Sequence, residues 1–426
     1  VPPRGVPPRE DDAMPHPQPA HPSRRGVLAG AAAASAVLAA PALVRAQANA
    51  LKVAVLLPRS GYLAPSGQSC HRGALIAPQV LGQYGYRVEL VHIDTESSVD
   101  VARTQTERAI NEGAHCIVGA FDSAATLAIA QVCEQRQVPL VVNIAAAPQL
   151  TEQGLKYLVR NFPTGGQLVI NGLNLIKELL QATRLAPKTA VFIHANDTFG
   201  TAQRAAMDRL FPAAGMPFRL VDSIAYDPTA QDLSVEVTKI RARSPDLVLV
   251  VTRAADAIKL IRDMVRQRFE PQAIISPGSP GLYDEEFYQA LGPLADFHIY
   301  NLPWADPKAQ MSQALEAAFK LAHRNFRFAV DSFNAGFTFE ALLVAAAAFK
   351  RAGSPEGAPL MQAIRQTNIA DHVMIGPAIT FDDKGQNPGI PSACVQSRNR
   401  TPTVVLPAAA ATMTPVLPAP PWQGRS

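Results

Sequence analysis

The stretch Cys116–Ala147, C-I-V-G-A-F-D-S-A-A-T-L-A-I-A-Q-V-C-E-Q-R-Q-V-P-L-V-V-N-I-A-A-A, decides the fold. Cys116-Ile117-Val118 is a short apolar run that stops at Gly119, and Ala120 to Ser123 follows as a loop. Ala124 to Gln135 carries apolar residues at helical spacing. Val138 to Val142 is a second apolar, β-branched run, ending in a second loop at Asn143 to Ala147. Short apolar runs bounded by turn residues suit strands buried on both faces. Strand, helix and strand in about 30 residues make a βαβ unit and imply a parallel sheet. Both loops then leave the carboxyl edge of that sheet, where open parallel sheets bind ligands. Ser123 falls where a helix N-cap would sit, so its hydroxyl and the free N–H groups behind it could hold an anion. An ordinary capped helix would carry the same residues, so these loops alone do not establish a site.

Outward from this unit, strand and helix runs alternate in both directions. Leu51–Leu57, Arg87–Ile93 and Cys116–Val118 are strands, with helices over 67–81 and 99–111. The pattern repeats from Gln167, with strands at 189–194, 218–225, 246–251 and 272–276 and helices between them. A strand-like F-H-I-Y-N at 297–301, helices over 310–325, 330–351 and 361–367, and late strands at 393–396 and 403–406 complete the chain. This is an α/β protein with two doubly wound domains.

Length, at 426 residues, allows two domains, and 48% hydrophobic residues allow a sizeable core. A net charge of +4 without a basic stripe argues against nucleic-acid binding. Val1–Pro22 is Pro-rich and reads as a disordered extension. Residues 23–48 hold Ser23-Arg24-Arg25, an Ala-rich apolar run and small residues near Ala46 and Ala48. That is the layout of a cleaved export signal of twin-arginine type, with a membrane anchor as the alternative. Cleavage would leave a mature chain in the periplasm. Residues 408–426 are Ala/Pro-rich and read as a flexible tail.

Chemistry-bearing patterns are scarce. Nine histidines form no H-x-x-x-H pair, four cysteines form no C-x-x-C, and there is no G-x-S-x-G, P-loop or G-x-G-x-x-G. Asp382-Asp383-Lys384-Gly385 reads as a turn, because it lacks a calcium loop's later ligands. No metal, cofactor or catalytic constellation is expected, and ligand binding between two domains is.

From Leu51 to about Leu406 the chain resembles periplasmic solute-binding proteins of ABC importers, of the leucine/isoleucine/valine-binding group. The resemblance rests on L-K-V-A-V-L-L-P-R-S-G at 51–61, I-V-G-A-F-D-S at 117–123, V-P-L-V at 138–141 and A-P-Q-L at 147–150. Further on it rests on N-D-T-F-G at 196–200, S-P-D-L-V-L-V at 244–250 and F-D-D-K-G at 381–385. It implies a monomer of two α/β lobes joined by three crossovers, which captures a small solute and delivers it to a membrane permease. Lobe one would be 51–165 and 296–375, and lobe two 166–295 and 376–407. The ligand positions it implies are Tyr62, Phe121, Asp122, Ser123, Ala145, Ala146, Phe199, Arg253 and Gly278 or Ser279. Amino-acid binders of the group place a hydroxyl near Ala146, a tyrosine near Arg253 and a glutamate near Ser279. These departures favour an organic acid, aromatic ones included, over an amino acid. The alternatives are an amino-acid or amide binder with Asp122 or Asp256 on the ammonium group, and a ligand-sensing receptor.

Overall fold

The computed structural model describes residues 50–408 and 411–425, so the expected extension and export signal lie outside the described residues. The first sheet is built from β1 (Leu51–Leu57), β2 (Val88–Asp94), β3 (Cys116–Gly119), β4 (Leu140–Val142) and β5 (Leu158–Arg160). All are parallel, in the order β2-β1-β3-β4-β5. β3 and β4 are wholly buried, as uninterrupted apolar runs require. Helices α1 (Ala64–Gln83), α2 (Val99–Asn111), α3 (Ser123–Arg136) and α4 (Gln149–Glu152) connect these strands.

The second sheet contains β6 (Thr189–Ala195), β7 (Arg219–Tyr226), β8 (Leu247–Val251), β9 (Ala273–Ser276) and β10 (Ile299–Leu302), closed by the hairpin β11 (Ala393–Arg398) and β12 (Thr401–Leu406). Its order is β12-β11-β10-β9-β8-β6-β7, with only the hairpin antiparallel. Its helices are α5 (Gly165–Thr183), α6 (Thr198–Leu210), α7 (Ser234–Ala242), α8 (Ala254–Arg266) and α9 (Glu285–Leu291). Then α10 (Gln310–Ala322), α11 (Phe328–Ala352) and α12 (Gly357–Arg365) return to the first sheet. α11 is long and apolar enough in composition to cross a membrane, but 94% of its most apolar window is buried inside the protein. A helix this apolar is a core helix when it has such a shell.

The chain therefore forms two doubly wound lobes, as expected, but the boundaries differ from the sequence reading. The F-H-I-Y-N run does not open the return to lobe one. Its strand β10 pairs with β9 in the second sheet, so the chain crosses after Leu302 rather than at 296. The last crossing also comes later than 376. Gly385 and Asn387 still bond the backbone of Arg160 beside β5, and the second sheet resumes only at Ala393.

The tail is a further correction. The Trp422 ring is buried and its Nε1 donates to the Phe269 carbonyl at 3.0 Å. Arg425 stacks on Trp422 and donates to the Asp296 carbonyl at 2.8 Å. Proline-rich composition set the expectation of a free tail, but one tryptophan with an apolar seat holds this segment on lobe two. All four cysteines are buried thiols. Burial pushes the Cys70 and Cys116 thiols up to about 12, which makes them poor nucleophiles.

Candidate functional site

Strand order locates the site before any side chain is considered. In the first sheet, β2 and β3 lie on opposite sides of β1, so the loops after β1 and β3 part and leave a crevice. Those loops carry Tyr62 and Phe121-Asp122. In the second sheet, β7 and β8 lie on opposite sides of β6, and the loops after β6 and β8 carry Asp197 and Arg253. The two crevices face one another. The Arg253 guanidinium lies 3.9 Å from Asp122 across the cleft and 2.6 Å from Asp197 on its own lobe. It also stands over the Phe199 ring, 5.0 Å from the centroid.

A small, narrow cavity opens at this junction. Of the ligand positions that the resemblance implies, Phe121, Phe199 and Arg253 line it. Gly278, one of the two alternatives named at its position, lines it as well, and the remaining wall was not anticipated: Ile144, Phe162, Leu168, Pro280, Leu302 and Phe333. Phe162 and Leu302 sit where the chain crosses between lobes, and Phe333 belongs to the core helix α11. Their signal was available in sequence only as apolar residues beside a crossover. The wall is aromatic at its base, with Phe162 and Phe333 rings 5.8 Å apart, edge to face.

Polar groups at the mouth are strongly coupled. Burial, then the Asp122 charge, pushes the half-buried Tyr62 hydroxyl up to about 12. Burial raises the Asp122 carboxyl above its ordinary range, although Arg253 pulls the other way. Burial works against the Arg253 charge, but Asp197, Asp122 and Asp256 outweigh it, so the guanidinium stays protonated. Asp256 is not available to a ligand: it accepts from the Arg253 backbone N–H at 2.7 Å and from the Tyr226 hydroxyl.

Several expected residues stand elsewhere than the sequence suggested. The cap of α3 is Asp122, whose carboxylate accepts from Ala125 N at 2.7 Å, and Ser123 is the first helical residue. The Ser123 hydroxyl is nevertheless buried, 1% exposed, and has no hydrogen-bond partner. Ala145 and Ala146 are buried and do not line the cavity, whereas Ile144 does. The Ala145 and Ala147 carbonyls accept from buried Arg160, which fixes this loop from below. Ser279 is fully committed to structure, accepting from Thr252 N and bonding the Ser276 hydroxyl. Its neighbour Gly278 is the wall residue, and a Cβ there would come within 2.7 Å of the Leu168 Cβ. Among the described residues no group of histidine, cysteine and carboxylate side chains could hold a metal ion.

The sequence profile of the periplasmic binding protein family matches residues 50–399. A Leu/Ile/Val-binding protein homologue, number 8 of Brucella abortus (strain 2308), is 28% identical over 235 residues, which is 54% of this chain and 58% of the relative. Number 7 of Brucella suis is 27% identical over 268 residues, 59% of this chain and 61% of the relative. The chain spans less than two thirds of the length of these curated relatives. Among solved structures, a leucine binding protein from Thermotoga maritima superposes with a TM-score of 0.70 at 22% identity, covering 83% of this chain and 97% of its own. A solute binding protein from R. palustris in complex with benzoate superposes with a TM-score of 0.72 at 22% identity, covering 86% and 98%. These likenesses establish the type I periplasmic binding protein fold.

Proposed function

The chain belongs to the periplasmic binding protein family, and from that premise we propose that it is the extracytoplasmic solute-binding component of an ABC importer. It acts as a monomer that captures a small carboxylic acid between its lobes and hands it to a membrane permease. The observation that carries the ligand class is that, among the described residues, Arg253 is the one charged side chain lining the cavity, with apolar and aromatic neighbours. An apolar or aromatic body suits the chemistry of that wall, and a carboxylate suits Arg253. A carboxylate side chain at 278 would have to displace Leu168, whose Cβ would lie 2.7 Å from the added Cβ. Ser123 adds an unpartnered hydroxyl beside the N-terminus of a 14-residue helix, a place that favours anions. The ligand carboxylate then takes over from Asp122 as the second partner of Arg253, while Asp197 remains the first.

Titration calorimetry with benzoate and benzamide tests this reading. Ser123→Ala should weaken benzoate by about 1.5–3 kcal/mol, the worth of a hydrogen bond to a charged group. Arg253→Ala should weaken benzoate and leave benzamide nearly unaffected. Equal losses for acid and amide would remove the charge argument. A second reading has one observation behind it: Asp122 stands at the cleft mouth and could accept from an ammonium group, as in a leucine-type ligand. Heat from leucine with none from benzoate would select it.

A further inference from the structure

The strands that cross between the lobes are tied together by one buried carboxylate. Glu340, on α11, is 1% exposed. Its Oε2 accepts from Asn161 Nδ2 at 2.7 Å, at the start of the first crossover. Its Oε1 accepts from the Val373 and Met374 N–H groups at 2.9 and 2.8 Å. That 373–375 segment runs antiparallel to the second crossover, with Asp306 N bonding Val373 O and Ile375 N bonding Trp304 O. Asn161 in turn accepts from Asn387 Nδ2 at 2.8 Å, just before the third. The last partner of Glu340 is His372, whose Nδ1 lies 2.8 Å from Oε1 and whose Nε2 lies 3.0 Å from the Pro377 carbonyl. Both ring nitrogens face oxygen atoms that can accept, so both contacts are made only when the ring carries two protons.

We infer that His372 is a proton-dependent brace on the three crossovers, complete when its imidazole is cationic and short of one hydrogen bond when it is neutral. The charged groups that bear on it are Glu340 from α11 and Asp371 from its own loop. Burial works against the cation, but the Glu340 bond and charge, the Pro377 carbonyl and Asp371 outweigh burial, and the group is held above 6.5. Because the folded value is the higher one, the contribution is fully present below 6.5 and is lost as pH rises through the folded value. A crossover braced in this way resists bending less at higher pH, so the cost of moving the lobes is set by protonation. This inference rests on the reading of the chain as a two-lobed binding protein.

The test needs no ligand, so its failure and the failure of the solute reading are separate events. In full-length protein, the His372 ring resonance is assigned by comparison with His372→Gln, which keeps a donor toward Glu340. Amide exchange at Val373 and Met374, corrected for the chemical rate, is followed across the same pH range. The expected result is a His372 titration above 6.5, with protection of both amides falling through that titration in the wild type and unchanged with pH in His372→Gln. Titration at or below 6.5 would overturn the brace, as would the same pH-dependent loss of protection in the variant.

Discussion

Arg160 heads the fully buried large side chains, and the cleft loop after β4 depends on it. It donates to the Ala145 and Ala147 carbonyls, to the Thr151 hydroxyl and to the Gln386 side chain, and burial pulls its pKa down to about 9. Arg160→Met strands several buried acceptors at once, so it should cost roughly 3 kcal/mol or more, read as a lower urea midpoint. Ser279 makes the opposite case. Its hydroxyl serves Ser276 and Thr252, not the cavity, so Ser279→Ala should cost about 1 kcal/mol of stability and leave solute affinity unchanged. A tenfold loss of affinity in that variant would return Ser279 to the site. At this scale the sequence was a partial guide. Phe121, Phe199 and Arg253 came from the family resemblance, which carries contact positions across one residue at a time. Asp122 and Ser123 were not separable, because both residue types cap helices and they are adjacent. Arg160 was hidden because L-V-R is too short a run to announce a strand.

Elements were far more legible than residues, since buried parallel strands are unbroken apolar runs and the helices between them are long. β1 and α2 have the bounds that the periodicity gives. What periodicity does not carry is sheet membership, so β10 could be read as a strand and still be assigned to the wrong lobe. α1 packs on α11 through Gly73. A Cβ at 73 would lie 2.4 Å from the Ala335 carbonyl oxygen and 2.6 Å from its Cα, both backbone atoms that cannot rotate away. Gly73→Ala therefore has to push two core helices apart. Overpacking of this kind costs about 1–3 kcal/mol, against a gain of under 1 kcal/mol from alanine's helix propensity. Calorimetric unfolding should show a net drop in midpoint, and a rise would mean the helices separate freely.

For the whole molecule, the question is how far the two lobes are committed to each other without solute. The direct ionic contact across the cleft mouth is Asp122 to Arg253, at 3.9 Å. Two unit charges at that distance interact by about 4 kcal/mol at an effective dielectric of 20, and the desolvation of both groups offsets much of it. Burial already outweighs Arg253 at the Asp122 carboxyl, so the contact contributes at most a small part of that figure to holding the lobes together. Asp122→Asn should widen the distribution of lobe separations, seen as a larger radius of gyration by small-angle scattering in the absence of solute. If the proposed carboxylate contacts to Ser123 and Arg253 hold, saturating solute should reverse that difference by tying the two lobes together. The chain carries an internal reporter of the same motion. It has two tryptophans, and Trp304 sits on the second crossover with its ring 5.4 Å from Tyr283 and 5.9 Å from Tyr300, both of lobe two. In a Trp422→Phe background Trp304 is the only indole, and hinge bending about the crossovers should change its emission in step with the scattering. Solute saturation that alters neither signal, in wild type or in Asp122→Asn, would mean that the lobes move as one body and that binding does not close them.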